Sequence, residues 1–210
     1  MSDKIVFYTN PMSRGRIIRW MLEEVGQPYE TVLMEFPALK ASDFLAINPM
    51  GKVPTIKHGD TVVTEAAAIC AYLADAFPQA NLAPPHGDRH RGDYYRWLFF
   101  AAGPLESAVT VKNLGFEVPS ERRMMAGWGC LADVLDTLEK AVTGRDYVAG
   151  DHFTAADLYL GAHLGWGLQM GSIEARPAFA AYAERMAARP AAVRAREIDD
   201  ALIAAAHAPA

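Results

Sequence analysis

Every convincing strand signal in this chain lies before Phe77-Pro78, and beyond the proline-rich Ala83-Pro84-Pro85-His86-Gly87 stretch only helical periods occur. This change of period constrains the fold more than any other feature. Strands and helices bury apolar groups on different repeats, about 2 and 3.6 residues, so one switch along the chain implies two layers of different kind. The 210 residues are enough for two small domains. The pattern predicts a mixed α/β domain over 1–78, a linker over 79–87 and an all-helical domain over 88–210.

Within the first domain, Lys4-Ile-Val-Phe-Tyr8 is a run of β-formers that ends at Thr9-Asn10-Pro11. Ile17, Ile18, Met21, Leu22 and Val25 recur at helical spacing until Gly26 stops them. Tyr29 to Leu33 reads as a second strand and Phe36 to Ile47 as a short helix. Val53 to Lys57 and Thr61 to Val63 form a hairpin around His58-Gly59-Asp60, and Glu65 to Phe77 is helical. In the second domain, Asp88 to about Lys112 is one aromatic-rich helix. A stripe from Leu131 to Val142 makes another, and Pro177 and Pro190 stand where a first helical turn accepts proline. Thr154-Ala-Ala-Asp157 has the form of a capping box, with Phe153 and Leu158 at the positions of a hydrophobic staple.

Charge and composition exclude several classes of function. With 20 Lys+Arg against 25 Asp+Glu the chain carries a net charge of −5, unsuited to nucleic acid or an anionic membrane surface. The longest weakly charged stretch, Leu158 to Ile173, is too short to span a bilayer. No basic segment followed by an apolar one opens the sequence, so a cytoplasmic protein without a leader is expected. Cys70 and Cys130 form no Cys-x-x-Cys pair and the six histidines show no ligand spacing, so neither a disulfide framework nor a metal site is expected. Arg89-His90-Arg91 reads as a solvated helix start or dimer edge.

Four segments carry a more specific signal. They are Asn10-Pro-Met-Ser-Arg14 after the first strand, Asn48-Pro-Met-Gly-Lys-Val-Pro54, Thr64-Glu65-Ala66-Ala67-Ala68-Ile69 opening a helix, and the Phe153-Thr-Ala-Ala-Asp157 box. In this order and at these spacings the sequence resembles the cytosolic glutathione transferases, especially the bacterial ones, over almost the whole chain. The resemblance implies an α/β thioredoxin-like N-terminal domain followed by an all-α helical-bundle domain, paired as a homodimer. It also implies glutathione as co-substrate with no metal, a small hydrophobic electrophile as second substrate, and a part in detoxification.

Such an enzyme must make a thiolate from a thiol whose free pKa is about 8.5. A hydroxyl donating to the sulfur and the positive end of a helix both favour the anion. Ser13, between a strand end and a helix start, suits both tasks, although serine is favoured as an N-cap for structural reasons alone. Tyr8 is the rival, since several classes of the family use a tyrosine at the end of strand one; as a plain residue it is a core aromatic with its hydroxyl at the rim. Asn10 is a third polar group on the turn, equally explained as a turn-former before Pro11.

For the rest of glutathione, the family motif favours a cis bond at Val53-Pro54, with the Val53 backbone pairing with the cysteinyl part like an added strand. Glu65 is suited to the γ-glutamyl ammonium and the free amide of Ala66 to the neighbouring carboxylate. Lys52 is placed to reach the glycine carboxylate or to be a solvated loop lysine. The electrophile is expected between the domains, against Phe99, Phe100, Gly103, Pro104 and Ser107, with Trp166 closing the wall. Glu106 stands where some bacterial relatives place a histidine near the thiol. The reading is a transferase. A glutathione-dependent peroxidase or isomerase would use the same half-site, and a non-catalytic interaction module of the same fold would tend to lose these contacts.

Overall fold

The computed structural model describes residues 4–207. Their contacts divide them into two compact units, residues 4–81 with 189–207 and residues 82–188.

The first unit is built on a four-stranded sheet in the order β2-β1-β3-β4, formed by β1 (Ile5–Thr9), β2 (Tyr29–Leu33), β3 (Thr55–His58) and β4 (Thr61–Thr64). β1 runs parallel to β2 and antiparallel to β3, which pairs antiparallel with β4. Helix α1 (Gly15–Val25) connects β1 to β2 and buries Ile17, Ile18, Met21, Leu22 and Val25, the stripe read from the sequence. It stops at Gly26, which adopts φ 69° and returns its N–H to the Leu22 carbonyl, a left-handed cap that glycine takes without steric penalty. The helix expected over Phe36 to Ile47 is broken. A 3₁₀ turn, Phe36–Lys40, and a single-turn helix α2 (Ser42–Leu45) flank an extended Ala41. The buried residues there, Leu39 and Phe44, are five apart, a spacing that one continuous α-helix would put on different faces. Helix α3 (Ala66–Ala76) buries Ile69, Cys70 and Leu73.

In the second unit, α4 (His90–Phe100), a π-helical turn (Ala101–Leu105) and α5 (Glu106–Asn113) follow one another without a gap. Pro104, inside that turn, has no N–H to give to the ladder, which is the ordinary cause of such a widening. Helices α6 (Leu131–Val142), α7 (Ala155–Gln169) and α8 (Pro177–Ala187) follow. Helix α7 is apolar around most of its circumference and buries nine of its residues, as a central helix must. Its capping box is formed, and Asp157 within it also accepts from the Val148 N–H and the Tyr182 hydroxyl, both at 2.7 Å.

The helical region read as 88–210 is divided. Its last helix, α9 (Pro190–Ala206), packs on α1 and belongs to the first unit. Four ion pairs join the two helices: Arg16 with Asp200, Arg19 with Asp199, Glu23 with Arg194, and Glu24 with Arg189 just before α9. Arg91, read as part of a solvated basic start, is instead buried. Its guanidinium donates to the Pro84 carbonyl at 2.6 Å and to the Tyr95 hydroxyl at 2.9 Å, and lies over the Tyr95 ring. A flat cation of this kind satisfies its charge on carbonyls and aromatic faces as well as on water.

Candidate active site

Strand register brings the N-terminal motifs to one place. Tyr8 on β1 pairs with Thr55 on β3, and Thr55 pairs with Thr64 on β4, giving a row across three strands. Just beyond this row, at the same end of the sheet, lie the turn after β1, Val53-Pro54 before β3, and Glu65-Ala66 after β4. Helices α1 and α3 both start from this edge, so the positive ends of their dipoles share it. Segments some forty residues apart in sequence thereby meet around one locus.

The turn after β1 is held by its own polar groups. Asn10 is buried; its amide donates to the Met34 carbonyl at 2.9 Å and accepts from the Met12 N–H at 2.9 Å, which ties the turn to the end of β2. The Ser13 hydroxyl donates to the Asn10 carbonyl at 2.7 Å and accepts from the Gly15 N–H at 3.0 Å. Ser13 thus satisfies one of the free N–H groups that open α1, while remaining half-buried. Tyr8 is also half-buried, and its ring packs at 5.8 Å from that of Phe44.

The loop before β3 contains a cis Val53-Pro54 bond, in the isomer that the motif favours. Asn48 organises this loop. Its buried amide donates to the Lys52 carbonyl at 2.8 Å and to the Thr55 hydroxyl at 3.1 Å, and accepts from the Met50 N–H at 3.0 Å. The Lys52 side chain is exposed, and its carbonyl serves the loop. After β4, Glu65 is exposed with φ 64° and ψ 116°, a conformation seldom adopted by residues other than glycine. Ala66 begins α3.

Sequence reasoning assigned no role to Asn48, Thr9 or Gly15. The Asn48-Pro49 dipeptide was the available signal for the first, as a turn initiator. The other two form a close approach: a Cβ on Gly15 would lie 1.9 Å from the buried Thr9 Oγ1, so only glycine lets α1 start against the end of β1. No local pattern announces such a contact.

In the second unit, the residues read as an acceptor wall fall on and beside the π-helical turn, apart from Trp166, which lies on α7. Phe99 is exposed, while Phe100 is half-buried and packs edge-on to Trp97 at 5.6 Å. Gly103 and Pro104 are within the turn, and Ser107 and Trp166 are half-buried. The Glu106 carboxylate lies 3.9 Å from His163 Nε2 on α7, so the acid at this position has a histidine beside it. Among the described residues no cluster of three or more potential metal ligands occurs, and no helix is long and apolar enough to cross a membrane.

Comparisons with known proteins match most of the chain to one family. Residues 4–75 match the glutathione S-transferase N-terminal domain, and residues 122–190 match the glutathione S-transferase C-terminal domain. The chain is 31% identical over 188 residues to glutathione S-transferase GstA of Escherichia coli O157:H7, covering 87% of this chain and 90% of that protein. It is 31% identical over 200 residues to glutathione S-transferase 3 of Zea mays, covering 88% and 89%. Among solved structures, a sphingomonad glutathione S-transferase complexed with glutathione superposes with a TM-score of 0.75 at 31% identity, over 93% of this chain and 98% of that one. A glutathione transferase from Methylococcus capsulatus superposes with a TM-score of 0.77 at 31% identity, over 94% and 99%. The chain belongs to the glutathione S-transferase family and is a glutathione transferase of bacterial type.

Proposed function

We propose that this enzyme joins the thiolate of glutathione to small hydrophobic electrophiles, with Ser13 as the hydroxyl that stabilises the sulfur anion. One observation carries the assignment: the Ser13 hydroxyl is fixed at the sheet edge where the Val53 backbone and Glu65 also lie, with the Gly15 N–H donating to its oxygen. A hydroxyl that accepts a hydrogen bond is polarised into a better donor. Its proton, donated to the Asn10 carbonyl at 2.7 Å, needs only a rotation about the Cβ–Oγ bond to turn to a sulfur. Tyr8, on the strand β1 that leads into this turn, is the competing donor.

The other roles follow the same logic. The backbone of Val53 pairs with the cysteinyl part of glutathione, Glu65 with its γ-glutamyl ammonium, and the Ala66 N–H with the adjacent carboxylate. Lys52, exposed on its loop, answers the glycine carboxylate. Asn10 acts by holding the turn. In domain terms, residues 1–78 bind glutathione, 79–87 link, and the following helices supply the acceptor's contacts. The same reading includes a cytoplasmic homodimer with a part in detoxification.

The test is a pH titration of bound glutathione, following thiolate absorbance in wild type and in Ser13→Ala. A thiol pKa below the free value that returns towards it in Ser13→Ala supports the assignment. A depressed pKa unchanged in that variant transfers the role to Tyr8 or to backbone amides. Absence of saturable glutathione binding overturns the catalytic reading.

A further inference from the structure

The tripeptide Asn-Pro-Met occurs twice in the chain, at residues 10–12 and 48–50. Both copies fold alike. In each, the asparagine is buried and its side-chain oxygen accepts the N–H of the methionine two residues on, at 2.9 Å from Met12 and 3.0 Å from Met50. In each, its amide donates to a carbonyl further along the chain, that of Met34 at 2.9 Å and that of Lys52 at 2.8 Å. The asparagine thus fixes the backbone of the methionine while the side chain stays outside: Met12 is 68% exposed and Met50 is 58% exposed. The two copies differ in what comes next, Ser13 in the first and Gly51 in the second.

An exposed thioether is open to hydroperoxides, and oxidation turns an apolar group with a weakly accepting sulfur into a polar one. The sulfur lone pair attacks the hydroxyl oxygen of the hydroperoxide. The S–O bond forms as the O–O bond breaks, and the proton passes to the departing oxygen, which leaves methionine sulfoxide and an alcohol, or water from hydrogen peroxide. Met21 and Met186 are buried and closed to this reaction, and Met34 is half-buried. Met124, Met125 and Met170 are exposed but lie in the second unit, away from the residues assigned to glutathione. Met12 is the methionine that directly precedes Ser13, whose hydroxyl donates its proton within the same turn. A sulfoxide oxygen there is a strong acceptor that competes for the Ser13 proton, and the negative end of its dipole disfavours a thiolate beside it.

We propose that Met12 is an oxidation site through which hydroperoxides reversibly lower glutathione turnover. Met50, presented by the same turn but followed by glycine, is oxidised without that consequence. The inference rests on the reading of Ser13 as the hydroxyl that stabilises the glutathione thiolate.

The test uses the full chain carrying Cys130→Ser, which removes the partly accessible thiol, while Cys70 is fully buried. The protein is treated with hydrogen peroxide, freed of it by catalase, and mapped for sulfoxide by mass spectrometry. Two readouts follow: the thiol pKa of bound glutathione, and conjugation of glutathione to 1-chloro-2,4-dinitrobenzene, each protein being compared with its own untreated state. The expected result is a several-fold loss of turnover and a raised thiol pKa in step with Met12 sulfoxide, with or without Met50→Leu, whereas Met12→Leu keeps both values. Methionine sulfoxide reductases A and B, one for each sulfoxide epimer, should restore the loss in the presence of dithiothreitol, and dithiothreitol by itself should not. Equal loss in Met12→Leu, Met12 sulfoxide formed without loss, or a loss that the reductases do not reverse overturns the proposal. An untreated protein that binds no glutathione overturns the transferase assignment and this proposal with it. Untreated turnover that ignores Met12 oxidation overturns this proposal alone.

Discussion

Arg19 Nε donates to Asp199 Oδ1 across 2.6 Å, and both side chains are almost wholly removed from solvent. The pair joins residues 180 positions apart and fixes α9 against α1. Arg19 also reaches the hydroxyls of Tyr29 and Thr31 at 3.2 Å and lies over the Phe7 ring, so its charge is held from several sides. Removing one member leaves the other buried without its partner, which typically costs about 3–5 kcal/mol. Asp199→Ala should lose stability on that scale in urea unfolding. The double variant Arg19→Leu, Asp199→Leu should lose less than the sum of the single ones, because neither charge is then stranded.

Burial and the hydrogen bond to Glu23 push the Tyr29 phenol up to about 12 from its ordinary value near 10. The native state therefore keeps this proton over a range in which the unfolded chain has released it. The stability it contributes is complete below pH 10 and declines as pH rises from 10 towards 12. Tyr29→Phe should flatten the alkaline limb of a stability-against-pH profile. Equal alkaline slopes in the two proteins would contradict this.

At the start of α1, a methyl group on Gly15 meets Thr9 Oγ1 at an impossible 1.9 Å. Gly15→Ala must shift the turn that carries Ser13, at a cost of about 1–3 kcal/mol and with a loss of turnover. Thr9→Ala placed in the same chain should recover part of both, since it removes the atom that is struck. Calorimetry and steady-state kinetics on the three proteins decide this.

Asn48 holds the 48–55 loop through three hydrogen bonds. At about 1 kcal/mol each, Asn48→Ala should cost roughly 2–3 kcal/mol. Its kinetic signature should be a higher KM for glutathione with little change in kcat, because the loop positions the Val53 backbone and performs no chemistry.

The Thr154 hydroxyl and the Asp157 carboxylate differ in what they leave behind. Thr154→Ala removes one cap and should cost about 1 kcal/mol. The Asp157 carboxylate, despite a burial that raises its pKa, accepts from Val148, Tyr182, and both the amide and hydroxyl of Thr154. Asp157→Ala strands these buried donors and should cost several times more, on the order of 3–5 kcal/mol. Thermal melts of the two variants should be clearly separated.

Wherever one local rule governed, the sequence alone was sufficient. The stripe from Ile17 to Val25 and its Gly26 stop reproduce α1, Tyr29 to Leu33 is β2, and Thr154 with Asp157 forms the box that opens α7. The motifs around Ser13, Val53-Pro54 and Glu65 were visible as well, because turn and helix-start chemistry resides in neighbouring residues. Periodicity failed at Phe36 to Ile47, where apolar spacing and an extended Ala41 break the segment into two turns.

The tertiary structure decided what depends on distant partners. Nothing near Arg19 or Asp199 in sequence says that one will meet the other, yet that meeting transfers α9 from the helices preceding it to the first unit. The same holds for Gly15 against Thr9, and for the gathering of Tyr8, Thr55 and Thr64 into one row, which register alone sets. Local propensity acts through the nearest few residues. Ion pairing, close packing and strand register act between surfaces that exist only once the chain has folded.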